Sequence, residues 1–285
     1  MTDMKQNRTG YGTLLVLCAS ILFATGGAVL KLIPWSALAI NGARNLIAAI
    51  VLAAYMAYTK HQIRFNKTVL TGAVSFIGVT SLFVIANKMT TAANAIILQY
   101  TCPVWIIIIM SLLFHEKPNR RDVLTVMTVF AGILCFFYDS LQTGHIAGDL
   151  IAVLSGIFYA GVFMLNTFED GDAFSSILIG EAVSGILFTP LLIRETVFTP
   201  VIWTAVIFLG VFQVAAAYIC LAIGTRYTSA IAASIIGSIE PILSPVLVAV
   251  IWHEILPPVS LIGAAIVIIA VAVYNILKHN DDKRK

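Results

Sequence analysis

Ten apolar stretches, each about as long as a bilayer-crossing helix, follow one another with only short interruptions. They cover 11–33, 36–58, 69–87, 91–114, 122–138, 149–168, 174–193, 201–224, 229–252 and 260–277. A helix needs about 20 mostly apolar residues to cross a hydrocarbon core of about 30 Å. Only 11% of residues are charged, against about 25% in soluble domains, so water cannot be the solvent for this surface. The expected fold is therefore an all-α integral membrane protein with ten transmembrane helices. Loops this short make successive spans antiparallel. The first run, 11–33, exceeds the signal-peptide apolar core of about 7–15 residues, and it reads as a retained span.

Basic residues orient such a bundle, because the cytoplasmic loops carry the excess of Lys and Arg. With both termini in the cytoplasm, the inside holds thirteen: Lys5, Arg8, Lys60, Arg64, Lys67, Lys117, Arg120, Arg121, Arg226, Lys278, Lys283, Arg284 and Lys285. The outside holds three, Lys31, Lys88 and Arg194, and Arg44 lies within a span. The protein is thus expected to be a multi-pass protein of the cell (inner or plasma) membrane with both termini cytoplasmic. The net charge of +3 and the lack of a basic stripe give no nucleic-acid footprint. Cys18, Cys102, Cys135 and Cys220 form no C-x-x-C pair, so neither a metal site nor a disulfide framework is expected.

The two halves resemble each other. Thr91-Ala92-Ala93, Pro103 and His115-Glu116 in the fourth span are echoed by Thr228-Ser229-Ala230, Pro241 and His253-Glu254 in the ninth. One and the same separation relates Pro103 to Pro241, His115 to His253 and Gly42 to Gly180, and a slightly shorter one relates Gly12 to Gly148. A five-helix unit repeated once must be inverted, since five crossings leave the chain on the opposite side. The charges agree: Lys117, Arg120 and Arg121 follow the fourth span, whereas Ile255-Leu256-Pro257-Pro258 follows the ninth. Residues 1–145 and 146–285 are expected to be the two inverted repeats, an arrangement suited to alternating access.

These features resemble the drug/metabolite transporter superfamily, in particular its EamA-type ten-span exporters, over nearly the whole chain. The resemblance rests on Gly12 with Leu22-Phe23-Ala24, Ala43-Arg44-Asn45, Thr91-Ala92-Ala93 with Pro103 and Glu116, Ala217-Tyr218 through Arg226-Tyr227-Thr228-Ser229-Ala230, and Ser238-Ile239-Glu240-Pro241 with Glu254. It implies a basket-like bundle around a central cavity, and export of amino acids, nucleobases, vitamins or related metabolites. One departure is Thr101-Cys102-Pro103, where relatives often keep an acidic residue before the proline.

Ionisable residues at membrane depth usually face the bundle interior. Arg44, Glu181 and Glu240 are three such residues. Counting ~1.5 Å per residue, Arg44 lies ~12 Å below the outer surface, and Glu240 lies ~16 Å and Glu181 ~11 Å above the inner one. Arg44 and Glu240 are therefore candidates to pair, Glu181 is a second candidate partner for Arg44 at a poorer match in depth, and all three are candidates for coupling or for a buried ion pair. Glu240 either carries a coupling proton or completes a structural ion pair, and Arg44 either joins that pair or binds a substrate carboxylate. Candidate substrate contacts are Gln99, Tyr100, Tyr159, Gln213, Tyr218, Ser234 and Ser238, with Asn94 and Asn166 as further polar groups. Ser234 and Ser238 share a helix face, which also suits close helix packing. Gly26, Gly27, Pro103, Pro241 and Pro245 are candidate hinges, because prolines free backbone carbonyls inside the membrane.

No cluster of nucleophile and base stands out, and no phosphate-binding loop is present, so neither an enzyme nor an ATP-driven pump is expected. The reading is a secondary active transporter, an exporter of small polar metabolites such as amino acids. A proton is its candidate coupling partner, no cofactor is needed, and a monomer or homodimer is expected. The alternative is a non-transport membrane protein on the same scaffold: an enzyme, an assembly factor or a sensor.

Overall fold

The computed structural model describes residues 2–30, 32–90, 92–115, 117–141, 144, 146–253 and 257–284. Thr91, Glu116 and Glu254, expected as repeat markers, and Lys31 and Lys285 lie outside the described residues. Among the described residues there are thirteen α-helices and no strand: α1 Thr2–Leu30, α2 Ala37–Tyr58, α3 Lys67–Met89, α4 Ala92–Gln99, α5 Cys102–Leu113, α6 Arg120–Phe136, α7 Ile146–Phe163, α8 Ala173–Phe188, α9 Pro200–Phe208, α10 Ala217–Tyr227, α11 Ala230–Gly237, α12 Glu240–Trp252 and α13 Pro258–Arg284.

The helices begin where a short polar side chain can cap them. Asn66, Asn119, Asp172, Thr199 and Ser229 each accept a backbone N–H of the first turn of α3, α6, α8, α9 and α11, satisfying a donor that would otherwise be orphaned. Among the described residues nine helical segments are long and apolar enough to cross a membrane. They correspond to nine of the ten expected spans. The exception is α6, the expected fifth span, which has 17 residues and opens on Arg120, Arg121 and Asp122. Large side chains such as Ile50, Leu112, Ile186 and Ile269 are exposed around the bundle, the surface a lipid solvent selects.

The fourth and ninth expected spans are each broken. α4 ends at Gln99 and α5 starts at Cys102; α11 ends at Gly237 and α12 starts at Glu240. The separation that carries Pro103 onto Pro241 also carries Gln99 onto Gly237 and Cys102 onto Glu240, so the two breaks are equivalent. Both second segments have proline in the first turn, Pro103 and Pro241, where the missing N–H costs nothing. The segments end alike as well, with His115 and His253 at positive φ of 54° and 56°.

Helix pairing follows the same internal repeat. α1 packs on α10 and α7 packs on α3, while α2 packs on α8 and α6 on α13. A Cβ at Gly12 would lie 2.7 Å from Tyr227, and one at Gly148 would lie 2.6 Å from Met89. Both glycines are therefore needed for close approach, and Met89 and Tyr227 are themselves equivalent positions of the two halves.

Candidate functional site

A cavity of about 410 Å³ lies between α1, α2, α3, the α4–α5 break, α7, the α9–α10 span and α12. It runs from Glu240 at the α11–α12 break to Leu30, Ala37 and Asn87, at the end of the bundle where α1 meets α2 and α3 meets α4.

Glu240 is the first residue of α12, so the break itself brings a carboxylate to the wall. Tyr100, in the other break, donates its hydroxyl to Glu240 Oε2 at 2.6 Å. Tyr159 of α7 donates to the same oxygen at 3.4 Å. The two rings meet edge to face, 5.9 Å between centroids. Cys102 stands in the first half where the second has Glu240; the thiol is fully buried, so only one of the two breaks supplies a carboxylate.

Arg44 occupies another part of the wall. Its Nε and Nη2 donate to Asn41 Oδ1 at 3.3 and 2.9 Å, and its Nη1 donates to Gln213 Oε1 at 3.2 Å. It forms no ion pair with a described carboxylate, so the expected Arg44–Glu240 contact is absent here. Each of the two ionisable groups rests on neutral partners instead. Gln213 reaches Arg44 from a π-helical stretch, Leu209–Ala216, that joins α9 to α10. Gly26 makes room for it, since a Cβ there would lie 3.1 Å from Gln213 Nε2.

The cavity thus gathers Arg44, Gln99, Tyr100, Tyr159, Gln213, Tyr218, Glu240, Gly26, Gly27 and Pro241. Gln99, though on the wall, already commits its amide N–H to Ser155 Oγ at 2.8 Å. The cavity does not gather the rest. Ser234 and Ser238 are fully buried off the wall and donate to the Ile231 and Ser234 carbonyls of their own helix turn. Glu181 is fully buried off the wall. Asn94 binds Asp149 Oδ1, and Asn166 binds the Ala222 carbonyl and Thr225 Oγ1. Pro103 is buried at the start of α5, Pro245 sits inside an unbroken α12, and α1 runs unbroken through Gly26-Gly27. Asn45, Thr80, Asn87 and Ser244 also line the cavity and were not among the expected contacts. Thr80, Val84 and Asn87 recur at i, i+4 and i+7, a helical stripe that would have marked this face of α3.

The opposite end of the bundle is tied together by Asp172, buried at the start of α8. Nε2 of His61, from the α2–α3 loop, lies 3.0 and 2.9 Å from its two oxygens, and Arg226, at the end of α10, lies 3.5 Å away. Ser175 donates to it through both its backbone N–H and its hydroxyl. Burial alone would raise this carboxyl, but the hydrogen bonds from Ser175 and His61 outweigh it and hold Asp172 below its ordinary value. Three segments that are distant in sequence share one carboxylate.

The EamA-like transporter family model matches the chain twice, over residues 10–138 and 146–276. The chain is 27% identical to the uncharacterized transporter YwfM of Bacillus subtilis (strain 168) over 277 residues, covering 92% of this chain and 93% of the relative. It is 26% identical to an uncharacterized transporter of Archaeoglobus fulgidus over 267 residues, covering 92% and 96%. A solved crystal structure superposes with a TM-score of 0.81 at 18% identity, over 93% of this chain and 96% of that one; this is a likeness of fold. With two copies of the family model spanning almost its whole length, the chain belongs to the EamA-like transporter family.

Proposed function

We propose that this protein is a secondary active exporter of small zwitterions, amino acids foremost, working by alternating access and coupled to protons. The observation that carries the reading is the cavity's pair of ionisable side chains, one basic and one acidic. Arg44 is held by amide oxygens and Glu240 by tyrosine hydroxyls, so neither neutralises the other, and a ligand with a carboxylate and an ammonium complements both. Each charge is already oriented by neutral partners, which lowers the cost of positioning a ligand.

The architecture in this reading has ten spans in two inverted halves, 1–145 and 146–285, with both termini cytoplasmic in the cell membrane. The matched helix breaks, the equivalent pairings of α1 with α10 and α7 with α3, and the double family match support it. α6 is the fifth span. Its 17 residues reach ~26 Å, and the 3₁₀ turn Tyr138–Ser140 extends it. It lies along α13, where Gly132 and Gly263 allow close contact and Tyr274 donates to Asp122 at 2.9 Å. The cavity then reaches the outer face, and the Asp172 cluster closes the inner one.

The test is counterflow in liposomes with radiolabelled amino acids, nucleobases and polyamines, with and without a pH gradient. Amino acids are expected to exchange, faster than the other two classes, and to accumulate against their gradient when the pH gradient is imposed. Exchange of polyamines alone, or of no probe, would sink the reading.

A further inference from the structure

Among the described residues nine buried side-chain polar atoms have no hydrogen-bond partner in the protein, and eight of them lie on α2, α8 and the turn after α8. Both carboxylate oxygens of Glu181 are among them, on a fully buried side chain. Glu240 differs, since two tyrosine hydroxyls serve it. An ionised carboxyl with neither a cation nor a donor is not stable in apolar surroundings, so Glu181 must take up a proton or another cation.

Its surroundings lead to the cavity. Gly185, one turn after Glu181, closes on the Leu46 backbone, where a Cβ would meet Leu46 N and Cα at 2.9 Å. Asn45 is adjacent to Leu46 and stands on the cavity wall with both amide atoms unpartnered. Ser184, also unpartnered, shares the Glu181 face of α8 at i+3. Tyr218, on the same cavity wall, lies within electrostatic reach of Glu181, Arg44 and Glu240.

We propose that Glu181 is the proton-binding residue of the transport cycle, reached from the cavity past Asn45; this rests on the transport reading above. The proton goes from cavity water onto a carboxylate oxygen and leaves to water on the other side, and no other bond is made or broken. Of the charged and titratable groups nearby, Tyr218 of α10 lies within electrostatic reach of Glu181, whereas the Arg44 guanidinium of α2 is held by Asn41 and Gln213. α3 carries no titratable residue between Thr68 and Asn87, and Arg194, at the end of the turn after α8, is exposed. Among the described residues Glu181 is the buried carboxyl with neither oxygen hydrogen-bonded.

The experiment uses full-length protein in liposomes with a radiolabelled amino-acid mixture outside and a pH-sensitive dye inside. The readout is the ratio of gradient-driven uptake to counterflow. In Glu181→Gln this ratio is expected to fall at least about tenfold together with the proton signal, whereas in Glu240→Gln counterflow falls and the ratio holds. A ratio preserved in a folded Glu181→Gln protein, or accumulation driven by a sodium gradient in its place, overturns the proposal. A second measurement needs no variant and no substrate. A hydrophobic carbodiimide, which modifies protonated carboxyls in apolar surroundings, should label Glu181 of the wild-type protein, less as pH rises. Labelling that is absent, or independent of pH, also overturns the proposal. Loss of counterflow in the wild type is a separate failure: it removes the transport reading, and the labelling result still decides whether Glu181 takes up protons.

Discussion

Two tyrosine hydroxyls share one oxygen of Glu240, and their distances rank them. The Tyr100 bond, at 2.6 Å, is in the short range of charge-assisted O–H···O contacts, while that of Tyr159, at 3.4 Å, is beyond the usual limit of about 3.0 Å. A hydrogen bond to a charged group contributes about 1.5–3 kcal/mol. Tyr100→Phe is therefore expected to weaken apparent affinity in amino-acid counterflow by about 10- to 150-fold, and Tyr159→Phe by only a few-fold. Equal effects, or the reverse order, would show that the hydroxyls do not act through Glu240. Gln99 calls for a different variant, because its N–H already serves Ser155 and Ser155 in turn donates to the Val79 carbonyl at 3.2 Å. Gln99→Leu loosens the α4–α7 contact as well as the wall, so a loss of affinity there comes with a lower Tm.

At the scale of helices and the loops between them, the Asp172 cluster ties α2, α8 and α10 together at one end. Because Asp172 is held below its ordinary value of 3.8, its contribution is fully present above that value and is lost as pH falls through the lower, folded one. Asp172→Asn keeps a side chain able to cap α8 but removes the charge. It should lower stability in detergent by about 1–3 kcal/mol at pH 7, and the difference from wild type should vanish only below about pH 4 in thermal scans; a difference that closes between pH 7 and 5 would show that the carboxylate is not the group responsible. Asp172 itself does not stand out in the sequence, since an acidic loop looks solvated until the fold brings His61 and Arg226 to it. The helix breaks are more legible: Pro103 and Pro241 mark them because proline is favoured in a first turn. The π-helical stretch around Gln213 leaves no trace, as an apolar segment reads the same with either hydrogen-bond register. Ser234 and Ser238 show where legibility stops. Their spacing gives a shared face, but α11 is buried nearly all round, and spacing cannot say which neighbour that face meets.

For the whole molecule, an open cavity at one end and a tied cluster at the other are one conformer of a two-state cycle in the transport reading, and the two ends are coupled. A substitution that weakens only the tied end must raise the share of the opposite conformer by its differential energy. If Asp172→Asn removes about 1–3 kcal/mol from the outward-open state alone, the ratio of inward-open to outward-open protein grows by roughly 5- to 150-fold. Accessibility at the far end reads this shift. Asn87 lies on the cavity wall near the end of α3, so Asn87→Cys, in a background with Cys18, Cys102, Cys135 and Cys220 replaced, should react with a membrane-impermeant thiol reagent added outside intact cells. Adding Asp172→Asn, whose site is at the other end of the bundle, should slow that reaction. The orientation is tested by the same reagent, because labelling confined to inside-out vesicles would place the termini outside. Unchanged labelling in the double variant, with the protein folded and correctly oriented, would mean that the Asp172 cluster stabilises both conformers equally and is a structural tie with no part in gating.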